Sequence, residues 1–310
     1  VFGGYYSKAV NNVTINYDLV EEGAPDDRGT AADPFDKFNL NVKASVMTSK
    51  SSAESSSSTT ETIYNNAYKN ITLNGSSFTS AMSVETMRGQ AENNGTITLN
   101  KSTYDSESNA VGMYADSSTI SAASIINLGT IKTDFYMSAA MASASTQNAN
   151  VINNGTIETK KDYSLGMFSN GKSIMKNMKT ININSNNSVA MYTSGASDLV
   201  NDSGDDDNRA VINIGSSDKS VSSSYAMYSK GDYSFIKNNG IINIYSDSDA
   251  LFSSGTNSKV YNDYEINGSV GTGIHTTGEG VEVVNSNIID GANNYGIYTE
   301  GASTSISNTS

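Results

Sequence analysis

The 310-residue sequence predicts an all-β chain wound as a right-handed parallel β-helix, a solenoid with coils of about 23–26 residues. Three observations carry that prediction. The pentapeptide Asn-Asn-Gly-Thr-Ile recurs, a second phrase of small, aliphatic and aromatic residues repeats beside it, and no stretch has helical periodicity.

The first phrase stands at 93–97 and again at 153–157, with a near copy, NNGII, at 238–242. Its surroundings alternate apolar with polar, as in Thr96-Ile97-Thr98-Leu99, Ile181-Asn182-Ile183-Asn184 and Ile242-Asn243-Ile244. That alternation marks strands with one buried face.

The second phrase appears as Gly112-Met113-Tyr114, Gly166-Met167-Phe168, Ala190-Met191-Tyr192, Ala226-Met227-Tyr228, Ala250-Leu251-Phe252, Gly273-Ile274-His275 and Gly296-Ile297-Tyr298. Weaker copies are Ala81-Met82-Ser83 and Ala140-Met141-Ala142. The small residues at 81, 112, 140, 166, 190, 226, 250, 273 and 296 are separated by 31, 28, 26, 24, 36, 24, 23 and 23 residues. Ile97, Ile131, Ile157, Ile181, Ile212, Ile242, Ile266 and Ile288 keep step, one ahead of each anchor from Gly112 on. Each unit thus carries two short segments in fixed order, and length varies only between them, as in loops on a scaffold.

Helical repeats need longer stretches of 3.6-residue period, and the leucine spacing of leucine-rich repeats is missing. Coils of a β-helix rise about 4.8 Å each, so eight intervals give roughly 40 Å of rod. Equivalent side chains then stack in columns: isoleucines inside, asparagines at corners in amide ladders. Gly95, Gly129, Gly155 and Gly240 are expected in a turn of positive φ. The aliphatic column (Met113, Met167, Met191, Leu251, Ile274) is expected inside, and the aromatic column outside or at a corner.

Composition agrees. Apolar residues make up 36% of the chain, below the roughly 45–50% of globular domains, as a narrow interior requires. A formal charge of −13 with three arginines disfavours nucleic acids and anionic membranes, whose phosphates need the opposite sign. The absence of cysteine removes disulfides, thiolate metal sites and cysteine nucleophiles, and suits a chain that crosses an oxidising space unbridged. No apolar run approaches the roughly 18 residues of a spanning helix, so no direct membrane insertion is expected.

Residues 1–62 read as a cap of irregular coils with long loops, and 63–310 as the regular β-helix, stopping partway into a coil. EEGAPDDRGTAADPFDKF at 21–38 and SKSSAESSSSTTET at 49–62 are loops by composition.

Strands of the NNGTI type alternating with GMY or GIY strands, in a cysteine-free chain rich in Asn, Ser and Thr, resemble the passenger regions of Gram-negative autotransporter adhesins. The fusobacterial outer-membrane adhesins are the nearest in texture. The resemblance covers about 63–310. It implies a passenger fragment displayed at the cell surface, exported by a C-terminal barrel outside this chain. It also implies adhesion to a host-cell receptor or glycan, or to a partner bacterium. It transfers no binding residue.

Candidate chemistry is sparse. Asp202-Ser203-Gly204 has the look of a serine-protease nucleophile loop. It lacks the leading glycine, and its only possible base, His275, is more than two repeats away. Asp205, Asp206 and Asp207 offer oxygens for calcium, but without the spacing of a known calcium loop; a solvated charge run is the simpler reading. Asp249, Asp263 and Glu265 are the carboxylates a polysaccharide-cleaving β-helix would use. Lys237 and Lys259 do not complete such a set. No cofactor is implied. Tyr192 and Tyr228, with Tyr114, Phe168, Phe252 and Tyr298, would form an aromatic stripe if exposed, suited to proteins or sugars; otherwise they cover a groove.

The sequence therefore points to a non-catalytic, monomeric adhesin segment, with binding loops expected at 21–38, 49–62, 100–110 and 201–209. The alternatives are a β-helical polysaccharide-cleaving enzyme and a spacer with no binding role.

Overall fold

A computed structural model describes residues 2–3, 8–18, 44–50, 62–74, 79–85, 89–100, 110–116, 123–145, 148–202 and 208–309. Among them are 29 β-strands and no α-helix, and the strands pair in parallel in a right-handed β-helix. One coil illustrates the rest: Ala149–Asn153, Thr156–Thr159 and Leu165–Ser169 form its three faces. First strands stack into an eleven-stranded sheet. Second and third strands join into an eighteen-stranded one, because Ile241–Ser253 and Ile266–Thr276 run through the corner between them.

Each coil therefore has three strands where the sequence suggests two segments. The missed one is the first, with sequences such as Ser124–Asn127 and Asp198–Asn201. From Thr62–Asn65 to Glu282–Asn285 its burial alternates strictly, and its last residue is asparagine in every coil from Asn11 to Asn308.

The columns stand in register. Ile15, Ile71, Ile97, Ile131, Ile157, Ile181, Ile212, Ile242 and Ile266 are successive partners. At the last step Ile266 bridges Ile289, not Ile288, which is 54% exposed; the expected place of Ile288 in the column is corrected by one residue. The aliphatics Met47, Met82, Met113, Met141, Met167, Met191, Met227, Leu251 and Ile274 form the facing column and are fully buried. Burying each such side chain contributes about 1.5–3 kcal/mol.

The small residue beside each aliphatic also points inward, where the isoleucine column arrives. A Cβ on Gly166 would lie 3.0 Å from Ile181 Cγ2 and 2.5 Å from the Ala190 carbonyl oxygen. That crowding explains why the position takes Gly or Ala in every coil from Ala81 on; Val46, one coil earlier, is the exception.

The asparagines at the first corner form a single directed chain. Asn11, Asn65, Asn93, Asn127, Asn153, Asn177, Asn201, Asn238, Asn262, Asn285 and Asn308 each donate Nδ2 to Oδ1 of the next, at 2.7–2.9 Å. Backbone contacts fix the amide orientation. Oδ1 of Asn93 and Asn153 accepts from the N–H of Gly95 and Gly155, and Nδ2 also donates to Thr130 and Thr180 carbonyls. Sequence separation along this chain ranges from 23 to 54 residues, with no change in the amide spacing.

The glycines after these asparagines serve a different purpose from the one expected. Gly95, Gly129, Gly155 and Gly240 do not have positive φ. They are needed for close approach: a Cβ would sit 2.2, 2.0, 2.1 and 2.3 Å from a carbonyl oxygen of the preceding coil. Left-handed backbone falls, apart from Tyr68 at the first corner, mainly at the other two corners, at Met137, Tyr163, Asn187 and Ser223, and at Tyr233, Asn257, Gly280 and Ser303.

Candidate functional site: an aromatic ladder

The third strand bends after its small residue, so one side chain before the bend and one after it face away from the interior. The second of these is the aromatic column. Its rings contact one another coil by coil: Phe168–Tyr192 at 5.4 Å, Tyr192–Tyr228 at 5.0 Å and Tyr228–Phe252 at 4.7 Å. The series continues through Phe252–His275 at 4.8 Å and His275–Tyr298 at 5.1 Å. Tyr225 and Tyr295, from the position before the bend, join it beside Tyr228 and Tyr298.

These rings lie outside the coil, as expected, but the first of them are not exposed. Val111, Leu165 and Val189 pack beside them in a second apolar cluster, leaving Phe168 2%, Tyr114 4% and Tyr228 7% accessible and Tyr192 fully buried. The expectation of an exposed stripe at Tyr192 and Tyr228 is thus corrected. Here the column is packing. Burial, with Asp116 nearby, pushes the Tyr114 phenol above its ordinary range.

From Phe252 on, Asp249 and Thr272 stand where valine and leucine cover the earlier rings. Phe252, His275 and Tyr298 are half-buried, and Tyr295 is 54% exposed, stacked on Tyr298 at 4.7 Å and 17°. Two carboxylates flank His275. Asp249 occupies the position before the bend, accepts from the Thr272 N–H at 2.8 Å, and lies 3.7 Å from His275 Nδ1. Glu300 lies 3.8 Å from His275 Nε2 and accepts from the Tyr298 phenol, which raises that phenol's pKa. The sequence reading placed Asp249 in a different role and missed Tyr295 and Glu300. The signal was available in the register: Tyr295 aligns with Thr272, and Glu300 follows Tyr298 by two.

The other candidates do not converge. Asp263 pairs with Lys237 at 3.0 Å at the first corner, Glu265 receives Asn267 Nδ2, and Asp249 is on the third face. Asp202 pairs with Lys176 at 3.8 Å, far in sequence and in coil from His275. Ser203, Asp205, Asp206 and Asp207 lie outside the described residues, as do 21–38 and most of the expected loops at 49–62, 100–110 and 201–209. Among the described residues no three His, Asp or Glu side chains are placed to hold a metal ion, and no helix is long and apolar enough to cross a membrane.

Against known families, the model of the BigA fourth domain matches residues 29–272, most of the coils just described. The chain belongs to the BigA fourth domain family. As a BigA fourth domain it is an adhesin-like segment of a bacterial surface protein. No curated protein and no solved structure matches it.

Proposed function

We propose that this chain is a non-catalytic segment of a surface-displayed adhesin of the autotransporter type, akin to the fusobacterial ones. In this reading it is a monomeric rod, exported with the help of a barrel outside this chain. It holds its insertions toward a host-cell receptor, a glycan or a partner bacterium. The observation that carries the reading is the unbroken side-chain register from Ile15 to Ile266. A chain that repeats one wall along one axis is stiff in that direction, and a repeat surface suits contact over length better than chemistry at a point.

The test is direct. Beads carrying the chain are offered to cultured epithelial cells and to bacteria, beside beads carrying an unrelated acidic protein. Attachment above the control supports the adhesin. No attachment to any surface leaves a spacer. Depolymerisation of pectic or similar acidic polymers by the chain would replace the reading with an enzyme.

A further inference from the structure

We propose that an outward row of asparagines on the second face, Asn182, Asn213 and Asn243, with Tyr245 beside its last member, binds an extended chain of neutral sugars laid along the rod. The inference rests on the adhesin reading and gives that reading a ligand chemistry.

The second strands alternate buried isoleucines with outward residues, and their register places the three asparagines in one column. They form a second amide ladder. Asn243 Nδ2 donates to Asn213 Oδ1 at 2.9 Å, and Asn213 Nδ2 donates to Asn182 Oδ1 at 2.8 Å. This row donates toward the N-terminal coils, opposite to the chain at the first corner.

The two ladders differ in what is left over. At the first corner backbone groups take up spare capacity, as in the bonds of Asn153 to the Gly155 N–H and the Thr180 carbonyl. On the second face, among the described residues, each of the three amides bonds only to its neighbours in the row. A carboxamide carries two N–H donors and an oxygen with two lone pairs. Every amide of the row therefore keeps at least one N–H and one lone pair for a ligand. The isoleucines on either side are fully buried and hold the strand beneath them in place.

Tyr245 follows Asn243 by two residues, about 7 Å along the strand, and is 46% exposed. Gly215 is its counterpart in the coil below, so no side chain rises from there to cover the ring. Coils lie both below and above this one, through Ile266 to Ile289, and the exposure is that of a side wall.

Three features select a neutral sugar. Hydroxyls donate and accept at once, and a neighbouring pair can use the N–H and the oxygen of one amide together. The C–H face of a pyranose suits an exposed tyrosine ring. The row also climbs about 4.8 Å per coil, close to the length of one sugar in an extended β-1,4-linked chain, so successive sugars meet successive amides.

Charge points the same way. The outward residues Thr180, Asn182, Val211, Asn213, Ile241 and Asn243 are all uncharged, although the chain carries −13. Glu158 stands one coil below Asn182, and Glu265 one coil above Ile241. An acidic polymer meets a carboxylate at both ends of the row, and a basic partner finds none within it.

The experiment uses the full chain and fluorescein-labelled hexamers, read by fluorescence anisotropy. Cellohexaose, mannohexaose and chitohexaose are extended and neutral; maltohexaose is neutral but curls; the β-1,4-linked hexamer of mannuronic acid is extended but acidic. At least one extended neutral hexamer should bind about tenfold or more tightly than maltohexaose and the mannuronate. Its affinity should rise with chain length up to about three sugars, one for each amide, and then level. Asn213→Ala combined with Tyr245→Leu should weaken it about tenfold. Asn154→Ala combined with Tyr233→Asn removes an exposed amide and a 72% exposed ring elsewhere, and should change binding less than about twofold. Far-UV circular dichroism checks folding, and Tyr245→Leu alone serves if the double variant unfolds.

Failure of every extended neutral hexamer to bind would overturn the proposal. So would mannuronate or maltohexaose bound as tightly, or equal losses in the two double variants. Bead attachment separates the two readings. Wild-type beads that attach while Asn213→Ala/Tyr245→Leu beads attach equally well would sink this site as the adhesive one. Beads that never attach, with a hexamer bound as described, sink the adhesin and keep the site.

Discussion

Replacing Asn153 by alanine probes the amide chain at its centre. The side chain accepts from Asn127 Nδ2 at 2.8 Å and from the Gly155 N–H at 3.3 Å. It donates to Asn177 Oδ1 at 2.8 Å, to the Gly155 carbonyl at 3.2 Å and to the Thr180 carbonyl at 3.1 Å. Four of these bonds are buried and the one to Thr180 partly so, and removal both deletes hydrogen bonds and strands their partners. Two of the five bonds have no ready substitute, the pair along the ladder. Counting those at about 1.5 kcal/mol each and the three longer ones at about 0.5 gives a loss of about 4.5 kcal/mol.

Urea denaturation followed by circular dichroism reads this as a shifted midpoint at constant slope. Asn154→Ala, one residue on and exposed, is the control and should change stability by less than about 0.5 kcal/mol. The direction of the chain adds a stricter test. Asn153→Asp keeps the oxygen that faces Asn127 but sets an acceptor against Asn177 Oδ1. It should be worse than alanine at neutral pH and recover on acidification, when the protonated carboxyl can donate. A loss under 1 kcal/mol for alanine, or an aspartate better tolerated than alanine at neutral pH, would refute the directed ladder.

Gly129→Ala would push a methyl to 2.0 Å from the Gly95 carbonyl oxygen and should cost about 3 kcal/mol in the same titration; a neutral result would mean the coils separate freely there. Tyr233→Asn should stabilise by about 1 kcal/mol. Tyr233 is 72% exposed at φ 58°, and Asn257 already occupies the equivalent place one coil on. The Tyr114 phenol is held above its ordinary range in the folded chain, so the unfolded chain ionises first. Its contribution is complete below pH about 10 and is lost as pH rises beyond that. Tyr114→Phe should therefore flatten the fall in melting temperature above pH about 10, and an unchanged fall would remove Tyr114 as its cause.

The isoleucine and methionine columns were legible because a side chain that meets its own copy 4.8 Å away must repeat in kind. The first strand was harder to see. Its inward positions include Ala91, Val151, Met175 and Leu199, which vary in size, and only the closing asparagine is invariant. Ile288 was misplaced for a related reason: two adjacent isoleucines leave the register ambiguous by one until backbone pairing decides it. The left-handed corners were invisible because Met137, Tyr163 and Tyr233 are residues that seldom adopt that backbone. They accept it here because the N–H of each is drawn to a carbonyl of the following coil. The aromatic end was half legible. Ring positions follow from the repeat, but whether a ring is covered depends on its outer neighbours: valine and leucine beside Tyr114, Phe168 and Tyr192, aspartate and threonine beside Phe252 and His275.

The constant amide spacing makes height on this molecule independent of chain length. Thirty-seven residues separate Asn201 from Asn238 and 23 separate Asn262 from Asn285, yet each pair climbs a single step. Lengthening or replacing the segment between Asp202 and Arg209 should therefore leave every feature above it at the same altitude. Variants of this surface protein can exchange side decorations without altering how far the tip reaches.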